Sequence, residues 1–193
     1  MSLIFNFPVN KQDPEQGKIL LSEPFLGDRF FKRSVVLLGE HNDKGTIGFI
    51  LNKPTNIKIS EAIEDFPEFN APIYFGGPVQ PESLFYIHSL NGKLDGSKEI
   101  CKGVFWGGDF DELKFLIETK QVSPFEVKFF IGYSGWEPTQ LDQELKLNSW
   151  IISNAKKDYA FSNHPTDLWA DILKNMGTQY AMMANFPEDP AFN

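Results

Sequence analysis

The chain has 193 residues, 41% of them hydrophobic and 23% charged, which favours a single domain with a substantial buried core. Its 26 acidic residues outnumber its 18 basic residues, and the resulting net charge of -8 argues against direct binding to the phosphate backbone of nucleic acids. One cysteine cannot form an internal disulfide and three widely spaced histidines lack zinc-ligand spacing, so we predict neither a metal nor another cofactor.

Residues 1–16 are predicted to form a flexible lead to a single domain that takes in the whole chain, 1–193. They contain no basic segment ahead of a sustained apolar run, which a secretion signal would need. No later segment approaches the roughly 20 apolar residues that cross a bilayer. These absences predict a soluble cytoplasmic protein that does not associate with membranes.

The first regular structure predicted is a β-hairpin. The run "SVVLLGE" is aliphatic and β-branched, "NDKG" has the composition of a turn, and "TIGFILN" resumes a strand. Because residues 35–38 are apolar without alternation, we expect the hairpin at the centre of a sheet, buried on both faces. Arg33 and Asn52 flank it, and His41 stands where its first strand ends.

Short strands and one short helix are predicted next. "SEAIEDF" is typical of a helix with Ser60 as its N-cap and Pro67 closing it. "APIYFGGPV" and "SLFYIHSL" are predicted strands, and "EICKGVFWGG" is predicted as another strand or hairpin. Between the first two, Gly76, Gly77 and Pro78 favour a plain tight turn over a phosphate-binding loop, since no Walker lysine follows.

The last part of the chain mixes helices with one more strand. "DFDELKFLIET" predicts an amphipathic helix with Asp109 as its N-cap, and "FEVKFFIGY" predicts a strand. Pro138 suits the first turn of a helix that extends toward Trp150, and Pro165 begins another that ends at Gly177. Strands and helices do not alternate regularly, so the predicted fold class is α+β.

Several stretches in this order resemble the YqgE/AlgH family of bacterial proteins. They are "GKILLSEPFLGDRFFKRSVVLLGEHNDKGTIGFILNKP", "IYFGGPV", "YIHSL", "FFIGYSGWEPTQLDQEL", "LWADILKNMG" and the tail "FPEDPAFN". The similarity extends from about Gly17 to the carboxy terminus. It implies a single α+β domain whose mostly antiparallel sheet curls into a pseudo-barrel with flanking helices. It also implies a family labelled as transcriptional regulators, without an established activity or cofactor.

The segment "GYSGW" has one catalytic interpretation. It follows a predicted strand and precedes a predicted helix, which is where a hydrolase nucleophile would lie, and Ser134 occupies the nucleophile's position. Trp136 stands where that motif needs a second glycine. The family resemblance implies that alanine is accepted at the position of Ser134. We favour a glycine-rich turn in which Gly135 adopts positive φ and the rings of Tyr133 and Trp136 are buried.

The histidines have structural and catalytic interpretations. His41 follows a glutamate and could act as a general base, although a hydrogen-bonded turn histidine is the commoner outcome. His88 ends a predicted strand, and His164 precedes Pro165 at a predicted helix start. If His41 and His88 met in space, they could form a metal-binding or acid-base pair. We predict a structural role for His41, a hydrogen bond that ties the strand end to its neighbour.

The function predicted from the sequence is a noncatalytic binding or regulatory module. It would recognise a protein partner or a small anionic ligand through its glycine-rich turns, and self-association is left open. The alternative is a hydrolase that uses Ser134 or a site built on His41 and His88. The candidate ligand-binding residues are Arg33, His41, Asn52, Gly76, Gly77, Pro78, His88, Gly132, Tyr133, Ser134, Gly135 and Trp136.

Overall fold

The computed structural model describes residues 12–187, and most of the predicted lead at residues 1–16 and of the "FPEDPAFN" tail lies outside them. The strands are β1 Lys18–Ser22, β2 Val35–Asn42, β3 Gly45–Ile50, β4 Pro54–Lys58, β5 Pro72–Phe75, β6 Val79–His88, β7 Lys98–Cys101, β8 Val104–Trp106, β9 Val127–Trp136 and β10 Trp150–Asn154. The α-helices are α1 Ile59–Ala62, α2 Phe110–Glu118, α3 Gln140–Lys146, α4 Lys157–Ala160, α5 Leu168–Asn175 and α6 Thr178–Ala184, and a 3-10 turn covers Pro165–Asp167.

The fold is a single α+β domain with a curled, mostly antiparallel half-barrel sheet, as predicted. The strand order is β10-β1-β2-β3-β9-β6-β8-β7, and β4 joins through β5. On one edge of β9, its first half pairs parallel with β5 and its last three residues pair antiparallel with β3. On the other edge it pairs with β6. Because β9 exchanges partners along its length, it links the two parts of the sheet.

The predicted hairpin is confirmed as β2–β3, and it lies in the interior of the sheet order. All four residues from Val35 to Leu38 are fully buried. Val35 and Leu37 enter one hydrophobic cluster with Trp169 of α5, while Val36 and Leu38 enter another. An unbroken apolar run therefore reflects burial on both faces, since successive side chains point to opposite sides of a sheet.

The helix at residues 110–118 begins as predicted, with Asp109 Oδ1 accepting a hydrogen bond from Glu112 N at 2.9 Å. Two other predictions are wrong. The short α1 begins at Ile59 after the extended Lys58, so Ser60 is not its N-cap. Trp150 is the first residue of β10 because α3 ends at Lys146.

Two further predictions are confirmed. "EICKGVFWGG" forms the β7–β8 hairpin. Pro165 begins a 3-10 turn that continues into α5, and Gly177, with φ of 114°, separates α5 from α6. Within residues 12–187, no helix combines the length and the apolar character needed to span a membrane.

Candidate functional site

The segment "GYSGW" lies within strand β9, so the predicted strand-to-helix turn is wrong at this place. Gly132 has φ of 66°, whereas Gly135 is not among the glycines with positive φ, and the prediction for Gly135 is therefore wrong. The extended conformation of residues 134–136 is maintained by pairing with β3, which places Gly135 opposite Ile47. Pairing with β3, a strand distant in the sequence, keeps this segment extended despite its two glycines.

The "FGGPV" segment is not the predicted tight turn, since it joins β5 and β6 on opposite edges of β9, and it packs directly on the backbone of that strand. A Cβ atom on Gly76 would lie 2.2 Å from the oxygen of Gly132, and one on Gly77 would lie 2.2 Å from the carbonyl carbon of Tyr133. No side chain fits at such distances, so glycine is required here for close approach of two backbones. Pro78 follows Gly77 and leads into β6 at Val79. The two glycine-rich segments therefore contact each other, and Gly76 and Gly77 meet β9 through backbone atoms.

Ser134 is fully buried, and its Oγ donates a hydrogen bond to the oxygen of Gly76 at 2.9 Å. Within residues 12–187 this hydroxyl is not hydrogen bonded to a histidine or a carboxylate. A serine nucleophile needs a base within hydrogen-bond reach. The hydroxyl instead joins the "FGGPV" segment to β9.

His88 is a buried, neutral histidine with both ring nitrogens occupied. Nδ1 accepts a hydrogen bond from the backbone N–H of Leu90 at 3.2 Å, so Nε2 carries the proton and donates to the oxygen of Gly107 at 3.0 Å. The ring stacks on Phe105 with centroids 5.6 Å apart. Burial lowers the pKa of His88, an effect that its hydrogen bond to Gly107 partly opposes.

His41 Nδ1 is hydrogen bonded to Thr46 Oγ1 at 2.7 Å across the β2–β3 hairpin. His88 pairs with Val127 at the first residue of β9, whereas Thr46 pairs with Trp136 at its last residue. His41 and His88 thus lie near opposite ends of β9 and do not form a pair. No group of three or more metal-ligating side chains occurs within residues 12–187.

Arg33 and Asn52 lie at the opposite end of the hairpin from His41. Asn52 Oδ1 accepts a hydrogen bond from Val35 N at 2.8 Å, and its Nδ2 donates to the oxygen of Arg33 at 2.9 Å. The Arg33 guanidinium lies 5.0 Å from the ring centroid of Trp169 and donates to the oxygen of Phe186. Both side chains hold β2, β3 and the carboxy-terminal helices together.

One cleft of about 380 Å³ brings part of "GYSGW" together with the β2–β3 turn, and we call it the hairpin cleft. It is lined by Glu40, Asn42, Lys44, Gly45, Thr46, Ile47, Val79, Tyr133, Gly135, Trp136, Glu137 and Gln140. Of the predicted candidates, Tyr133, Gly135 and Trp136 line this cleft, and His41 contacts its wall through Thr46. The apolar side chains of this lining are buried or half-buried and form its floor, whereas the charged and amide side chains are exposed, or half-buried in the case of Glu40, and form its rim.

Glu144 of α3 fixes the orientation of Trp136, which lines the hairpin cleft. Its Oε2 accepts hydrogen bonds from the indole nitrogens of Trp136 at 2.9 Å and Trp150 at 2.7 Å. Its Oε1 accepts another from Gln140, a residue of the rim, at 2.9 Å. Glu144 was not among the predicted site residues, because a glutamate on a predicted helix is most often exposed and carries no local signal of binding two indoles.

The sequence analysis also missed Lys128. It is 4% exposed and lies in β9 between Val127 and Phe129, which are both buried. A signal existed, since "FEVKFFIGY" places one lysine inside an otherwise apolar strand. Its environment is formed by residues far away in sequence.

Comparison with known sequences gives matches over most of the chain. The profile described as AlgH-like matches residues 19–181. A UPF0301 protein of Bacteroides thetaiotaomicron is 41% identical over 192 residues, which cover 98% of this chain and 97% of that protein. A UPF0301 protein of Chlorobium phaeobacteroides is 41% identical over 179 residues, with coverage of 93% and 96%.

Two solved structures are similar in fold. The solution structure of the AlgH protein from Pseudomonas aeruginosa gives a TM-score of 0.71 at 25% identity, covering 92% of this chain and 98% of that one. The crystal structure of a protein from Corynebacterium diphtheriae gives 0.76 at 20% identity, with coverage of 91% and 94%. The second likeness concerns the fold alone.

Proposed function

We propose that this chain, which belongs to the AlgH-like family of bacterial proteins, is a noncatalytic binding protein. Its binding site is the hairpin cleft, and its ligand is a short segment of a protein partner. The observation that carries this proposal is the composition of the cleft, an apolar floor under a polar rim, with the Ser134 hydroxyl hydrogen bonded to a backbone carbonyl.

The floor and rim of the cleft suit a peptide segment. Ile47, Val79 and the ring of Tyr133 offer apolar and aromatic surface of the kind that anchors a partner side chain. Asn42 and Gln140 on the rim carry amide groups that can pair with a peptide backbone. The amide of Gln140 is already oriented by Glu144, which reduces the entropy lost on binding.

The charges around the cleft favour a peptide over a small anion. Glu40 and Glu137 contribute two carboxylates to the rim, and Lys44 contributes one ammonium. Lys98 offsets part of this, since its Nζ lies 3.6 Å from the carboxylate of Glu40. The two carboxylates and the two ammonium groups balance, so the rim offers an anion no excess positive charge, whereas a segment without net charge needs none.

Any regulatory role then acts through that partner. The net charge of -8 opposes attraction to duplex phosphates. A salt-dependent gel-shift series with the full chain is expected to detect no binding to duplex DNA at low salt. Retarded DNA that is released as salt rises would contradict the indirect role.

The cleft is tested by filling it. Lys44→Trp places a large side chain at the rim, and Lys102→Trp places the same side chain in the exposed turn between β7 and β8, outside the cleft. The wild type and both variants are immobilised and exposed to bacterial lysate, and retained proteins are quantified by mass spectrometry. We expect a partner that the wild type and Lys102→Trp retain and that Lys44→Trp loses at least about tenfold.

A partner retained equally by both variants would place the binding surface elsewhere. The noncatalytic character has its own test, a panel of esterase, phosphatase and peptidase assays on the wild type. An activity in that panel that Ser134→Ala abolishes would support the hydrolase alternative instead.

A further inference from the structure

The side chain of Lys128 ends in an apolar environment near the start of β9, whereas the hairpin cleft lies at the end of that strand. Its Nζ donates a hydrogen bond to the oxygen of Leu51 at 3.0 Å and lies 4.3 Å from the ring centroid of Tyr74. No carboxylate within residues 12–187 forms an ion pair with it. An ammonium has three protons to donate, and one carbonyl together with a ring face leaves it poorly solvated.

Burial without a counterion lowers the pKa of Lys128 to about 7. The amine is therefore largely unprotonated at a pH only slightly above neutral. An unprotonated amine is a nucleophile, and desolvation is one way in which proteins activate lysines.

Lys128 also lines a cavity of about 260 Å³, which we call the lysine pocket. Its lining includes the buried Tyr74 and Lys128, the half-buried Phe161, and the exposed Phe125 and Asn163, which form its mouth. Phe125 is 68% exposed, an unusual position for a phenyl ring. The lining is mostly apolar and includes four prolines, Pro54, Pro72, Pro124 and Pro165. The pocket has room for a small molecule that carries an apolar group.

We propose that the lysine pocket binds a small aldehyde or ketone with an apolar substituent, which Lys128 captures reversibly as an imine. This site shares no lining residue with the hairpin cleft, so it goes beyond the proposed function and does not depend on it. The ring of Phe125 and the prolines hold the apolar substituent, and Lys128 holds the carbonyl carbon.

The capture step needs no partner beyond the amine and the carbonyl compound. The lone pair of Nζ forms a bond to the carbonyl carbon while the π electrons of the C=O bond pass to oxygen. A proton moves from nitrogen to that oxygen and gives a carbinolamine. The hydroxyl then leaves with the second nitrogen proton as water, and the C=N bond forms. Hydrolysis reverses the sequence and releases the carbonyl compound unchanged.

The test is reductive trapping with salicylaldehyde and cyanoborohydride, followed by peptide mass spectrometry on the full chain. Lys44, an exposed residue, is the internal reference. At pH 7 an amine with a pKa of about 7 is unprotonated about 1,000 times more often than an ordinary lysine with a pKa of about 10.4. We expect this difference in protonation to outweigh the restricted access to the pocket, so that Lys128 is modified faster than Lys44. The rate at Lys128 should level off by about pH 8, where an amine with a pKa of about 7 is almost fully unprotonated.

Two variants decide whether the reagent uses the pocket. Asn163→Trp fills the mouth and should slow modification of Lys128 at least about tenfold without changing Lys44. Asn175→Trp places the same side chain at the exposed end of α5, outside the pocket, and should change neither rate. Circular dichroism confirms that each variant is folded.

Three results would overturn the proposal. One is modification of Lys128 in the folded wild type that is no faster than that of Lys44. Another is a Lys128 rate that keeps rising to pH 10. The third is an unchanged rate in Asn163→Trp, or an equal decrease in both tryptophan variants. Each of these outcomes leaves the hairpin cleft untouched, so the two proposals fail separately.

Discussion

Replacing the buried lysine with methionine, Lys128→Met, should stabilise the protein at neutral and acidic pH. Methionine has a similar length, no charge and enough flexibility to fill the same space. In the folded wild type, the amine must either lose its proton or remain charged in an apolar environment, and both options cost free energy. The variant removes that cost and leaves the oxygen of Leu51 without its donor.

The magnitude follows from the lowered pKa. A change from 10.5 to about 7 for Lys128 corresponds to about 5 kcal/mol of free energy of unfolding, at about 1.4 kcal/mol per pKa unit. The variant loses the hydrogen bond to Leu51 and the contact with the Tyr74 ring, which together cost about 3 kcal/mol. The net expectation is a gain of about 2 kcal/mol at pH 6.

The difference in stability between the wild type and Lys128→Met depends on pH, in a direction set by the same pKa values. The pKa of Lys128 is lower in the folded state, so between about pH 7 and 10.5 the unfolded chain binds more protons. The stability of the wild type therefore rises with pH through this window, by up to about 1.4 kcal/mol per unit. The cost is fully present below pH 7 and disappears above 10.5. The advantage of Lys128→Met should shrink as pH rises and reverse at about pH 8.4, where the cost of burying the amine has fallen from about 5 to about 3 kcal/mol and only balances the contacts that the variant loses.

Urea unfolding of the wild type and Lys128→Met from pH 6 to pH 10 measures this difference directly. Other titrating groups contribute equally to both proteins and cancel. Lys102→Met, a change at an exposed turn position, serves as the control and should follow the wild type at every pH. Parallel curves for wild type and Lys128→Met would refute the reasoning, because they would mean that Lys128 has the same pKa in the folded and unfolded states.

Three further predictions concern side chains and glycines whose roles the structure defines, and urea unfolding measures each. Gly132→Ala should destabilise the protein by about 3 kcal/mol, because the strain of positive φ is added to the clash of a Cβ atom 2.4 Å from a backbone oxygen. Gly92→Ala, also at positive φ but in open space, should cost only about 1 kcal/mol. His88→Ala should cost about 3 kcal/mol through a cavity and two lost hydrogen bonds. Since its folded pKa is lowered, the stability that His88 contributes above about pH 6.5 is lost as pH falls toward the folded value, and the variant should lose less stability there. His41→Ala should cost about 1 kcal/mol, and Thr46→Val should cost the same because it removes the same hydrogen bond.

The outcomes that contradict these predictions are distinct. Equal costs for the two glycine variants would mean that backbone strain alone matters at Gly132. A His88→Ala variant with the same loss of stability in acid as the wild type would show that its pKa is not lowered. Unchanged stability of His41→Ala, together with an enzymatic activity of the wild type that the variant lacks, would refute the structural role of His41.

Local patterns predicted much of the fold. The apolar run at residues 35–38 predicted a doubly buried strand, and it is one. Asp109 was recognised as an N-cap because capping involves residues only three apart. The family resemblance read from ordered motifs is confirmed by the AlgH-like match. Each of these predictions depends on patterns of residues that are close together in the sequence, so it can be made without the tertiary structure.

The site was predicted only in part. Tyr133 and Trp136 were identified as aromatic residues near a glycine-rich segment, and both line the hairpin cleft. The conformation of Gly135 was misjudged because pairing with β3 extends the segment. Arg33, Asn52 and His88 do not line the cleft, since their positions depend on which strands pair and in which register.

By itself the sequence determined the α+β class, the central hairpin and the family, because periodicity, turn chemistry and motif order act over short separations. Only the tertiary structure decided what surrounds Lys128 and what Glu144 binds. The Lys128 amine meets the oxygen of Leu51, 77 positions away in the sequence, whereas Glu144 accepts from Trp136 and Trp150, eight and six positions away, because β9 and β10 bring both indoles to α3. A buried charge or a shared acceptor is defined by the groups around it, and those groups are brought together by the packing of separate helices and strands.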